Sequence, residues 1–269
     1  MPDIWILMSL MGIGAVAGFL AGLLGVGGGL IIVPALVWVL EQGGFQQHVQ
    51  HLALGTSLAV MVFTSFSSVR AHHKHGAVDW NLIKKMALPM IIGTLLGSQV
   101  AGFIPSMGLK WFFVIYAYTI AAQMFFNLRP EGGRPLPNTF GLWCVGSVIG
   151  IISSFVGIGG GSMSVPFLTW CRVPIQKAIA NSAALGWPIA VSGTIGYIFS
   201  GIQTDHLPPF SVGFVYLPGL ITLSIVTTLM APIGAKVAHK LPVSKLKKAF
   251  AFILVITASE MLWKLLQHA

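Results

Sequence analysis

The chain has 269 residues, of which 55% are hydrophobic and 8% charged, and its formal net charge is +9. Soluble domains carry about 25% charged residues, so a water-soluble globule is excluded, and a chain this apolar is neither disordered nor collagen-like. On a soluble protein the positive charge would suit nucleic acid, but here the basic residues lie between apolar runs, where they set membrane topology instead.

Apolar runs separated by polar or charged breaks predict ten helical segments, at 4–24, 29–41, 50–71, 80–103, 108–127, 139–156, 161–171, 176–200, 210–238 and 246–266. Several uncharged stretches exceed 18 residues, the length that crosses a bilayer core of about 30 Å. Their continuity argues against the alternating segments of a β-barrel. The first segment follows Met1, Pro2 and Asp3 with no basic residue before it, so it is expected to stay in the mature protein. Residues 129–138 are rich in Pro, Gly and charge and read as a linker between a first repeat at 1–128 and a second at 139–269.

The two halves carry one pattern. Gly25-Val-Gly-Gly-Gly29 followed by Val33 and Pro34 returns 132 residues later as Gly157-Ile-Gly-Gly-Gly161 followed by Val165 and Pro166. The stretch 53–59 resembles 178–184, with Thr56 and Ser57 matching Asn181 and Ser182. Gly97, Pro105, Lys110, Ala121 and Met124 match Gly234, Pro242, Lys247, Ala258 and Met261 at a constant offset of 137. Ordered matches across five segments mark an internal duplication.

Counting basic residues orients the chain. If the loop near 72–85 is cytoplasmic, that side collects Arg70, Lys74, Lys84, Lys85, Arg129, Arg134, Arg172, Lys177, Lys236, Lys240, Lys245, Lys247 and Lys248, and the outside keeps Lys110 and Lys264. The 13-to-2 split fits the positive-inside rule and puts both termini outside. Segments 139–156 and 161–171 must then enter and return on the cytoplasmic side, and 4–24 and 29–41 on the outer side. Each half becomes a broken-helix hairpin plus three crossings. Three is odd, so the expected fold is an all-α integral membrane protein of two inverted-topology repeats, an arrangement of many secondary transporters.

The glycine breaks are the hairpin tips. Segments 29–41 and 161–171 reach only about 20 and 17 Å at 1.5 Å per residue, too short to cross. They read as half-helices whose N-termini start inside the membrane, where unpaired N–H groups and about half a positive charge suit a small anion. The candidate binding residues are Gly27, Gly28, Gly29, Gly159, Gly160, Gly161 and Ser162, with Thr56, Ser57, Asn181 and Ser182 as side-chain donors. Two plainer readings stand beside these. Triple glycine also serves close helix packing, and a membrane Ser or Thr often bonds its own helix backbone.

No metal site or cofactor is expected. His72, His73 and His75 fall at a cytoplasmic segment end, and His48 and His51 fall on the opposite face. Cys144 and Cys171 form neither a disulfide framework nor a zinc signature, and no Ser–His–Asp set or paired carboxylates lie at useful depth, so enzymatic hydrolysis is not expected. Glu260 lies one turn from the outer end of its segment and is expected to snorkel outward.

The duplicated GxGGGxxxVP motif, one copy per half, resembles the sulfite exporter TauE/SafE family of bacterial membrane permeases over nearly the whole chain. The resemblance implies transport of sulfite, sulfonates or related sulfur-containing anions across the bacterial cytoplasmic membrane. Thiosulfate uptake proteins that use membrane-embedded cysteines are a departure, since neither glycine tip here holds a cysteine. The expected partners are a small anionic substrate and the lipid bilayer, with no nucleic acid, and a coupling proton or ion and the oligomeric state left open. A non-transporting scaffold or sensor, and a divalent-metal permease using the histidines, are the alternatives.

Overall fold

The computed structural model describes residues 4–24, 28–74, 76–126, 133, 135–238 and 243–267. Within them run α1 (Ile4–Leu24), α2 (Gly29–Gln42), α3 (Val49–Lys74), α4 (Trp80–Phe103), α5 (Ser106–Phe125), α6 (Thr139–Val156), α7 (Gly161–Trp170), α8 (Ile175–Gly201), α9 (Leu217–Ala238) and α10 (Val243–Gln267). Each corresponds to one predicted segment.

The ninth starts late. Residues 210–216 form no helix: β1 (Ser211–Val212) pairs antiparallel with β2 (Val215–Tyr216). Left-handed backbone at Phe210 and Gly213 turns the chain here, and the N–H of Phe214 is taken by the Tyr197 carbonyl. Apolarity alone suggested a helix, but the positive φ angles forbid one.

Among the described residues six helices are long and apolar enough to cross a membrane, namely α3, α4, α6, α8, α9 and α10. The sequence reading has α5 crossing and α6 in a hairpin. Lys110, Tyr116, Tyr118 and Gln123 lower the hydropathy of α5, whereas α6 carries no charge. Phe103 is 88% exposed and Phe140 76%, with Phe126, Phe252 and Trp263 also outward. So large an exposed apolar surface needs lipid rather than water. The protein is an α-helical, multi-pass membrane protein.

Small residues decide which helices touch. On α1, Gly14 faces Leu223 and Val226, Gly18 faces Thr227, and Gly22 faces Ala231, so α1 lies parallel to α9. On α4, Pro89 meets Gly146, Gly93 meets Ser147, and Gly97 meets Ile151, so α4 lies parallel to α6. A Cβ at Gly22 or Gly93 would run into backbone, so only glycine permits these approaches. Each half thus lays its first helix on the fourth helix of the other.

Two pairs matched by the duplication, α3 with α8 and α5 with α10, run antiparallel. Gly186 of α8 sits by Ser65 of α3, Gly193 by Leu58, and Tyr197 by Gly55. In α5 and α10, Tyr118 OH and Ser259 Oγ are 2.7 Å apart, and Lys248 lies 6.0 Å from the Phe125 ring. In these two pairs the partners point in opposite directions.

Candidate functional site

The half-helices α2 and α7 start alike. Gly28 (φ 75°, ψ −13°) and Gly160 (φ 71°, ψ −4°) both hold the left-handed conformation at the N-cap. The Gly28 carbonyl accepts from the N–H groups of Ile31 and Ile32 at 3.0 and 3.1 Å, and that of Gly160 from Met163 and Ser164 at 3.1 and 2.8 Å. No side chain caps either helix, so the N–H groups of Gly29 and Leu30 in α2, and of Gly161 and Ser162 in α7, have no partner within their own helix. Glycine is required at both positions by φ alone. Gly27 lies outside the described residues.

The tips meet. Gly29 packs against the carbonyl of Gly157, which is itself left-handed (φ 70°) and ends α6 by donating to Ser153 O at 2.9 Å. Ser57, on α3, donates to the same Gly157 carbonyl at 2.8 Å. Ser162 Oγ lies 2.6 Å from Tyr116 OH of α5, a tyrosine that the sequence reading missed. A mid-helix Tyr looks like a packing residue until its partner is known.

Around the second tip, hydroxyl groups converge. Gly159 borders a cavity of about 10 Å³ that Thr64, Ser65, Ser68 and Ser182 also line, room for about one water. Ser68 Oγ and Ser182 Oγ have no hydrogen-bond partner among the described residues, nor do Ser153 Oγ, beside Gly160, and Ser164 Oγ, in the first turn of α7. Four buried hydroxyls left unsatisfied near one helix N-terminus are costly unless something polar joins them. Many other hydroxyls satisfy themselves on their own helix, as Thr94 does on Met90 O at 2.7 Å and Ser192 on Pro188 O at 2.7 Å. Among the matched quartet, no such self-bond forms.

Thr56 and Asn181 are engaged elsewhere. Thr56 Oγ1 accepts the N–H of Tyr216 at 2.9 Å, and Asn181 Oδ1 accepts the N–H of Asp79 at 2.7 Å. Tyr216 and Asp79 are themselves 137 apart, each directly ahead of the fourth helix of a half. The two side chains are thus equivalent anchors, each holding the start of the other half's fourth helix.

Among the described residues no three His, Cys, Asp or Glu side chains gather as a metal site. His73 stands against Trp80 with ring centroids 5.5 Å apart, and His75 lies outside the described residues. At the opposite end His51 places Nε2 3.0 Å from Ala101 O and Nδ1 3.2 Å from Ser106 Oγ, so both ring nitrogens are used. Cys144 is exposed and Cys171 buried, and both are free thiols.

Apolar helices, broken hairpins and a buried polar centre define a polytopic membrane protein of the transporter class. The chain belongs to the sulfite exporter TauE/SafE family, whose family model matches residues 10–261. It is 36% identical to a probable membrane transporter protein of Haemophilus influenzae over 97% of this chain and 99% of that one. It is 26% identical to a probable membrane transporter protein of Methanocaldococcus jannaschii over 93% of each chain. A Bacillus subtilis protein of the same description is 27% identical over 70% of this chain and 77% of its own. No solved structure matches the chain significantly.

Proposed function

We propose that the chain is a secondary transporter of small sulfur-containing anions, sulfite or a sulfonate, in the bacterial cytoplasmic membrane. The observation that carries this reading is the second glycine tip, where the uncapped start of α7 lies beside buried hydroxyls that have no partner among the described residues. Donors without acceptors are what an oxyanion asks for, and the helix end adds partial positive charge. Gly27, Gly28 and Gly29 supply the matching tip, and Gly159, Gly160, Gly161, Ser162, Ser57 and Ser182 complete the site. Thr56 and Asn181 serve it from a distance, as anchors.

The antiparallel course of α3 against α8 and of α5 against α10 supports reading 1–128 and 139–269 as inverted repeats about a linker at 129–138. Such repeats work by alternating access around a midplane site. With about 10 Å³ beside Gly159, the tip must widen to admit an anion.

Uptake of radiolabelled sulfite into proteoliposomes tests the proposal. Saturable flux is expected, absent from protein-free vesicles and inhibited by short sulfonates. Protein that is folded yet passes neither sulfite nor any sulfonate points to the scaffold or sensor reading.

A further inference from the structure

A cavity of about 490 Å³ lies along α2 toward its C-terminal end, between α2, α5 and α10. Its walls include Trp38, Glu41, Lys110, Glu260 and Lys264. Lys110 Nζ lies 2.8 Å from Glu41 Oε1, and Lys264 Nζ lies 2.9 Å from Glu41 Oε2, while Glu260 stands 3.9 Å from Lys264. The two lysines assigned to the outer face by charge counting are the two that meet here.

Glu41 is held as a bound anion would be, one oxygen on each ammonium. Each ammonium has three donors, and Glu41 uses one from each. Counted together, two lysines and two glutamates balance, so the cluster attracts no anion by net charge. An incoming anion gains these ammonium groups by displacing the Glu41 carboxylate. The volume falls in the range of small-molecule pockets, well above what one carboxylate needs. Trp38 offers an apolar wall for a short alkyl chain.

We propose that this cavity is a second, peripheral binding site for short-chain organic anions, sulfonates or carboxylates, in which Glu41 is a tethered competitor for Lys110 and Lys264. The choice of anion class rests on the transport reading above; the site itself rests on the cavity and its charges.

The test is equilibrium binding of ethanesulfonate to purified full-length protein in detergent, read by calorimetry and by tryptophan fluorescence. Glu41→Gln should tighten binding about fivefold or more, because it removes the internal competitor. The double variant Lys110→Met and Lys264→Met should lose binding, and Trp38→Phe should remove the fluorescence response. Melting temperatures identify any variant that fails to fold, and the single variants Lys110→Gln and Lys264→Gln then replace the double one. Binding unchanged in Glu41→Gln, or persisting in a folded variant that lacks the lysines, overturns the proposal. Sulfite flux is measured in parallel. Flux without Trp38-dependent binding removes the peripheral site and leaves the transport reading, and binding without flux does the reverse.

Discussion

At the scale of single residues, the glycine tips carry a requirement that the triplets only hinted at. Gly28 and Gly160 sit at φ 75° and 71°, where a non-glycine residue costs about 1–2 kcal/mol before any contact is considered. A Cβ on Gly160 would also stand 2.8 Å from Ile189 Cδ1. Gly28→Ala and Gly160→Ala are therefore expected to lower the melting temperature and reduce sulfite flux. Gly12→Ala is the control, because a Cβ there meets nothing within 4 Å. Tip variants that match Gly12→Ala in both measurements would return the glycines to a packing role. The glycines were legible because they repeat. The unsatisfied hydroxyls of Ser68 and Ser153 were not, since isolated serines in apolar runs look alike until their neighbours are placed.

Among the elements, the ten helices were readable because uncharged length and polar breaks punctuate a membrane chain strongly. The β1–β2 turn at 211–216 was not, because Phe214, Val215 and Tyr216 are as apolar as a helix start, and hydropathy does not report the left-handed backbone of Phe210. Thr56 and Asn181 show the same limit. Their match across the repeat marked them as important, but their partners Tyr216 and Asp79 lie 160 and 102 residues away. Interhelical hydrogen bonds in membranes average about 0.6 kcal/mol and reach about 1.7. Thr56→Val and Asn181→Ala should each destabilise by that order, visible in thermal melts in detergent, and leave substrate affinity within a few-fold of wild type. Complete loss of sulfite binding at an unchanged melting temperature would make these side chains ligands rather than anchors.

For the whole molecule, α1 runs with α9, α4 with α6, and α3 against α8 whichever face is cytoplasmic, so orientation rests on the charge split alone. A reporter active only in the cytoplasm should be silent when fused after Ala269 and active when inserted in the 129–138 linker. The opposite pair of signals would sink the positive-inside assignment, and both sites on one side would sink the inverted repeat.

The reciprocal laying of α1 on α9 and α4 on α6 also bears on how the protein comes into being. Neither half can finish itself: each lends a leading helix and borrows one back, like two hands clasped with fingers exchanged. Synthesised alone, either half would leave its rows of bare glycine facing lipid with nothing to fill them. Severed in the linker and made as two polypeptides in the same cell, the halves should find each other, co-purify and restore flux, whereas either fragment by itself should be cleared. The covalent join at 129–138 would then be a convenience of stoichiometry, and the clasp itself the bond that makes one molecule.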